Sequence, residues 1–213
     1  MTTLVLKDGD ELGVKRSATV TISVVPSEPP PGELWDRDIE HELYTHPAPT
    51  APAKWGTRRL DEIVGVCLHH TGHSQSPHWV AENYCRGKGR PTMPYTLWIT
   101  PDGQCLKCVD LELAVWHNHE GSFRNLWLSV GLAGPLHLYR PPNVQIWRAA
   151  ELIADLIVSD EFPLVNGLAR IKGHDDFIKT ACPGWSGDGE AAPSGEWRSD
   201  FMNLVLTLLP VRC

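Results

Sequence analysis

The chain has 213 residues, 42% of them hydrophobic and 21% charged, with a formal net charge of −7. This length predicts one domain with room for an appendage, and a core large enough to hold without staples. The acidic balance speaks against nucleic acid as the main partner, and apolar stretches such as LVLTLLPV are too short to span a bilayer.

The opening MTTLVLKDGDEL has no basic start followed by a long apolar run. No signal peptide is read there, so synthesis in a cytoplasm without ordinary export is expected. Residues 2–25 alternate like strands around Asp8-Gly9, a hairpin signal, and PSEPPPGE reads as an extended linker. Residues 34–60 mix tryptophans, acids and HPAPTAPAKW, and are read as an arm lying on the main domain. The expected division is therefore 1–57, a hairpin and Pro-rich arm, and 58–213, the main domain. Within the latter, IVGVCLHHT predicts a buried strand ending in polar residues. SPHWVAENYCRGKG predicts a helix, with Ser76 as cap and Pro77 at its first position. PYTLWITPDGQCLKCVD predicts a second hairpin turning at Asp102-Gly103. LSVGLAG predicts a short strand, residues 143–160 a long helix, ARIKG a last strand, and residues 195–209 a C-terminal helix. Mixed elements with some connections too short for crossovers predict an α/β fold, a central mixed sheet flanked by helices.

Six cysteines (Cys67, Cys85, Cys105, Cys108, Cys182 and Cys213) without a signal peptide favour metal ligands or buried thiols over a disulfide framework. Cys105 and Cys108 lie three apart, which on a strand places them on opposite faces, so a buried thiol pair is the simpler reading than a second metal. The motif GHDDFIKTACPGW sets His174 eight residues before Cys182. By itself it fits a half-built metal site, a cysteine nucleophile with its base, or an ordinary loop. His69-His70-Thr71 ends a predicted strand, a rigid place for a ligand, and a catalytic zinc wants three protein ligands with one position open.

VCLHHT (66–71), MPYTLWITPDGQ (93–104), AVWHNHEG (114–121), Asn125 with SVG (129–131), and GHDDFIKTACPG (173–184) together resemble the zinc amidases of peptidoglycan. That family includes phage lysozyme-amidases and animal peptidoglycan recognition proteins, and the resemblance spans roughly residues 60–210. It implies the family's fold and a Zn2+ cofactor held by His69, His174 and Cys182, with His70 in the variable place beside the first ligand. It also implies that Tyr95 faces the metal across the cleft, and that Trp116, His117 and His70 line the substrate path. Asn125 would brace that path. Thr180 shares the family's two-residue offset from the cysteine, with Lys179 one step earlier; either would assist at the developing oxyanion. Two departures stand out. Thr96 follows Tyr95 where most relatives have histidine, and SVGLAG lacks the glutamate of muropeptide-recycling relatives.

The function implied is hydrolysis of the amide between N-acetylmuramic acid and L-alanine, in the manner of a phage endolysin acting on the wall after release. A cytoplasmic recycling amidase, a non-catalytic wall-binding module and a Cys182–His174 peptidase are the competing classes. Bacterial peptidoglycan is the implied partner, with no nucleic acid, no membrane span and a monomeric chain.

Overall fold

The computed structural model describes residues 34–49, 56–117, 126–185 and 197–209. The predicted N-terminal hairpin and Asn125 lie outside the described residues. The strands are β1 (Arg37–Asp38), β2 (Gly56–Thr57), β3 (Gly65–His70), β4 (Leu97–Ile99), β5 (Cys105–Lys107), β6 (Leu113–Ala114), β7 (Trp127–Leu132) and β8 (Ile171–Gly173). Among the described residues, the longer α-helices are α1 (Pro77–Lys88), α2 (Asn143–Val158) and α3 (Trp197–Leu208).

Six strands form one sheet in the order β1-β5-β4-β7-β3-β8, and β2 pairs with β6 in a small second sheet. Among the described residues of the large sheet, β4 and β5 run antiparallel, joined by the Asp102-Gly103 turn, and the other pairings are parallel. The fold is the expected mixed sheet flanked by helices. α1 starts where the sequence places it: the Ser76 side chain accepts from the Trp79 N–H at 3.3 Å, and Pro77, lacking an N–H to satisfy, opens the helix.

Alternation along the strands separates two cores. Val66 and Leu68 of β3, Leu128, Val130 and Leu132 of β7, and Leu97 and Ile99 of β4 pack against Ile146, Ala149 and Ile153 of α2 and Phe201 and Val205 of α3. Gln145, wholly buried on α2, donates to the carbonyls of Ile99 and Ala133 at 2.9 and 3.0 Å, tying the helix to the ends of β4 and β7. Across the sheet, Trp98, Leu106 and Cys108 pack with Val80 and Ala81 of α1, Met93, and Ile39 and Leu43 of the arm. Cys105 and Cys108 thus fall on opposite faces, as strand geometry predicts, and both are free buried thiols.

The arm does more than lie on the surface. Its β1 pairs in parallel with β5, closing one sheet edge, and Ile39 and Leu43 are 1% and 7% exposed. The alternating apolar pattern that betrays a long strand is missing from a two-residue one, so residues 34–49 read from sequence as an appendage.

Candidate active site

β3 carries the first histidines. Odd-numbered Cys67 and His69 face away from the α2/α3 core, toward the side of the sheet covered by α1 and the arm. His69 is 2% exposed; His70, the next residue, is half-buried. β8 pairs with β3 so that Gly173 stands opposite Leu68, which delivers His174, the next residue, beside His69. The rings of His69 and His174 have centroids 4.6 Å apart.

The loop after β8 returns Cys182 to the same point. Asp176 accepts from the Gly173 N–H at 2.8 Å, closing the first turn, and the Asp175 N–H donates to the Cys182 carbonyl at 2.8 Å. Gly173 has no room for a side chain, because a Cβ there would run into Asp175, Trp185 and Pro183. α3 braces the loop from outside. Trp197 Nε1 donates to the Gly184 carbonyl at 3.1 Å, while Arg198 pairs with Asp176 at 3.1 Å and stacks over Trp185 at 4.5 Å.

One ligand atom each from His69, His174 and Cys182 lies within 4.8 Å of the other two. His69 Nδ1 is 3.6 Å from Cys182 Sγ. Burial, followed by neighbouring His117, His174 and His70, holds the His69 imidazole well below the ordinary histidine range. Burial pushes the Cys182 thiol up to about 12, against a stabilising N–H from His70 at 3.3 Å. This chemistry bears on the cysteine-nucleophile alternative. A reactive cysteine needs a depressed pKa, and this thiol is moved the other way. A divalent cation at the triad removes the conflict, since coordination displaces the thiol proton and needs histidine in its neutral form. Two imidazoles and one thiol also suit zinc, leaving a fourth position open.

The remaining sequence candidates fall around this point. Tyr95 precedes β4; its ring centroid is 5.7 Å from that of His69, and its hydroxyl donates to the His70 carbonyl at 3.4 Å. Burial raises its phenol far above the ordinary range, so it stays a donor. Thr180 Oγ1 accepts from the Cys182 N–H at 3.3 Å, while Lys179 is exposed. His70 turns its Nδ1 to the Gly72 N–H at 2.9 Å and lies 4.9 Å from the ring of His137; burial, with His137, pulls it down to about 4. Trp116 is half-buried under the Arg90 guanidinium at 4.0 Å. His117 is only 7% exposed, and its Nδ1 is 2.9 Å from His69 Nε2. Thr96 is wholly buried, its backbone bonded to Ser129 and Cys108.

Three neighbours of the site escaped sequence reasoning. Cys67 Sγ is 3.2 Å from His69 Nε2, and Cys67, His69 and His117 form a second convergent group. Its signal was its place two residues before His69 on one strand, hence on one face. Ser129 holds the Pro94 carbonyl at 2.9 Å, and Gly131 makes room for the Tyr95 ring.

Comparison with known proteins follows this geometry. A sequence profile described as N-acetylmuramoyl-L-alanine amidase matches residues 59–185, more than half of the chain. Comparison with curated protein sequences gives no match. Among solved structures, the Ph2119 endolysin of a Thermus scotoductus bacteriophage is 19% identical with a TM-score of 0.56, covering 75% of this chain and 97% of its own. The amidase LysC from Clostridium intestinale is 16% identical with a TM-score of 0.54, covering 74% and 94%. Drosophila PGRP-LB is 16% identical with a TM-score of 0.53, covering 62% and 80%. At these identities the structures speak for the fold alone, and the sequence match speaks for the family: the chain belongs to the N-acetylmuramoyl-L-alanine amidase family.

Proposed function

We propose that the protein is a zinc-dependent N-acetylmuramoyl-L-alanine amidase of the phage-endolysin kind, cleaving the amide between N-acetylmuramic acid and L-alanine in bacterial peptidoglycan. The observation that carries this reading is the convergence of His69, His174 and Cys182 within 4.8 Å on a family-matched scaffold. These three residues would hold the ion. Zinc bound there would supply Lewis acidity, polarising the amide carbonyl and lowering the pKa of water enough to make hydroxide available near neutral pH. Cys182 serves as a ligand, its sulfur buried and committed.

The chain's own residues do the rest. Tyr95, kept protonated by burial, would turn its O–H from the His70 carbonyl to the substrate carbonyl oxygen as that oxygen gains charge. Thr180 accepts from the Cys182 N–H, and its own hydroxyl proton would be the one given to the same substrate oxygen. Lys179, exposed one residue earlier, would act on substrate approach. His70 and Trp116 line the path of the glycan and peptide. Two of the similar structures are described as endolysins, from a Thermus phage and from Clostridium intestinale, which supports the endolysin reading over a recycling enzyme.

Product analysis on purified walls tests the proposal. Digestion should release L-alanine amines without new reducing sugars, and a chelator should stop it. New reducing ends without amines would refute an amidase. Cleavage of soluble muropeptides with none of intact walls would assign the recycling role, and binding without cleavage would assign a recognition module.

A further inference from the structure

His69 has two ring nitrogens with different company. Nδ1 is 3.6 Å from Cys182 Sγ, on the side of the convergent triad. Nε2 is 2.9 Å from His117 Nδ1 and 3.2 Å from Cys67 Sγ. A neutral imidazole carries one N–H, and whichever nitrogen holds it cannot ligate a metal.

We propose that His117, assisted by Cys67, is a positioning residue that holds the His69 proton on Nε2 and so presents the Nδ1 lone pair to the metal. The inference rests on the metal-site reading above and assigns His117 a place behind the ligand rather than against substrate. The 2.9 Å separation is that of an N–H···N hydrogen bond, and the two rings meet edge-on at 88°. With His117 Nδ1 as acceptor, the Cys67 sulfur stands beside the same proton as a weaker second acceptor. His69 is 2% exposed, His117 is 7% and Cys67 is fully buried, so bulk water does not compete for that proton.

His117 is itself held firmly. Its backbone N–H donates to the Val115 carbonyl at 3.1 Å, the Trp116 carbonyl accepts from Tyr84 Oη at 3.1 Å, and Arg90 stacks on Trp116 at 4.0 Å. Cys67 is fixed by strand register, opposite Ser129 on β7 and Lys172 on β8. Cys67, His69 and His117 also converge as a possible second metal seat. Filling it through His69 Nε2 while Nδ1 serves the first ion would require an imidazole stripped of its last proton. A hydrogen bond makes no such demand, and the geometry points to it.

The test measures zinc affinity by chelator competition, and the visible absorption of the cobalt-substituted protein, in the full chain. His117→Asn sets an acceptor near the place of Nδ1, whereas His117→Gln sets one near Nε2 and His117→Phe sets none. Loss of a group that orients a metal-bound histidine costs about 10- to 100-fold in affinity. His117→Phe and His117→Gln should show that loss with altered cobalt bands, while His117→Asn stays within a few-fold of wild type. Circular dichroism checks folding; if His117→Phe does not fold, the Asn/Gln pair decides. Equal affinity in all variants, or equal loss in Asn and Gln, would overturn the inference and leave the metal site standing. Two zinc ions in the wild type, one lost in Cys67→Val, would also overturn it by making the cluster a metal seat. A wild-type protein that binds no zinc would instead overturn the metal-site reading, and this inference with it.

Discussion

Gly131 lies directly against the ring of Tyr95: a Cβ at residue 131 would stand 2.8 Å from Tyr95 Cγ. Gly131 is also the register partner of His69 on β3 and of Trp98 on β4, so its neighbours on both sides are fixed. The tyrosine therefore owes its position to a missing side chain on β7. Gly131→Ala should push the ring outward and lower turnover by about 10- to 100-fold, as misplacement of a reacting group by about 1 Å does. Zinc content should stay unchanged. Kinetics on soluble muropeptide with parallel metal analysis check this; full activity would remove Tyr95 from the proposed chemistry.

Metal content is the second expectation. Purified protein should hold about one zinc per chain, from three ligands with a fourth position open. Cys182→Ser should lose most of the bound zinc and most of the activity, since a neutral hydroxyl is a poor ligand where a thiolate stood. Elemental analysis decides, and active protein free of zinc would end the mechanism.

Thr180 and Lys179 separate cleanly by experiment. Thr180 is tied to the Cys182 backbone, whereas Lys179 is exposed. Thr180→Ala should lower turnover by about 10²- to 10³-fold if its hydroxyl is an oxyanion donor, the range for removing one such donor. Lys179→Ala should change substrate affinity or nothing. A silent Thr180→Ala beside an inactive Lys179→Ala would transfer the role to the lysine.

The arm should matter for stability. Ile39→Ala empties a site that is 1% exposed in the core cluster that also holds Trp98 and Met93, and such truncations cost about 2–5 kcal/mol. A chain starting near Trp55 also loses Leu43 and the β1 edge strand, so its thermal midpoint should fall further than that of Ile39→Ala. Calorimetry of the two proteins tests the order. An unchanged midpoint in the shortened chain would mean that the arm packs without contributing to stability.

The sequence by itself determined the elements whose cause is local. Ser76-Pro77 starts α1, Asp102-Gly103 turns the β4–β5 hairpin, and the apolar spacing after Asn143 makes α2, because caps, turns and periodicity act over a few residues. It also placed His69 at the end of β3 and His174 just past the end of β8, from where side chains can meet. Tertiary structure decided what depends on partners far along the chain. His69 meets His117 across 48 positions and Cys182 across 113, and no periodicity encodes which ring nitrogen faces which. The same holds for β1: two residues make a strand only because β5 offers unpaired backbone at the sheet edge. The line runs where backbone propensity ends and the pairing of distant groups begins, since burial and hydrogen bonding reward that pairing only after the chain has closed on itself.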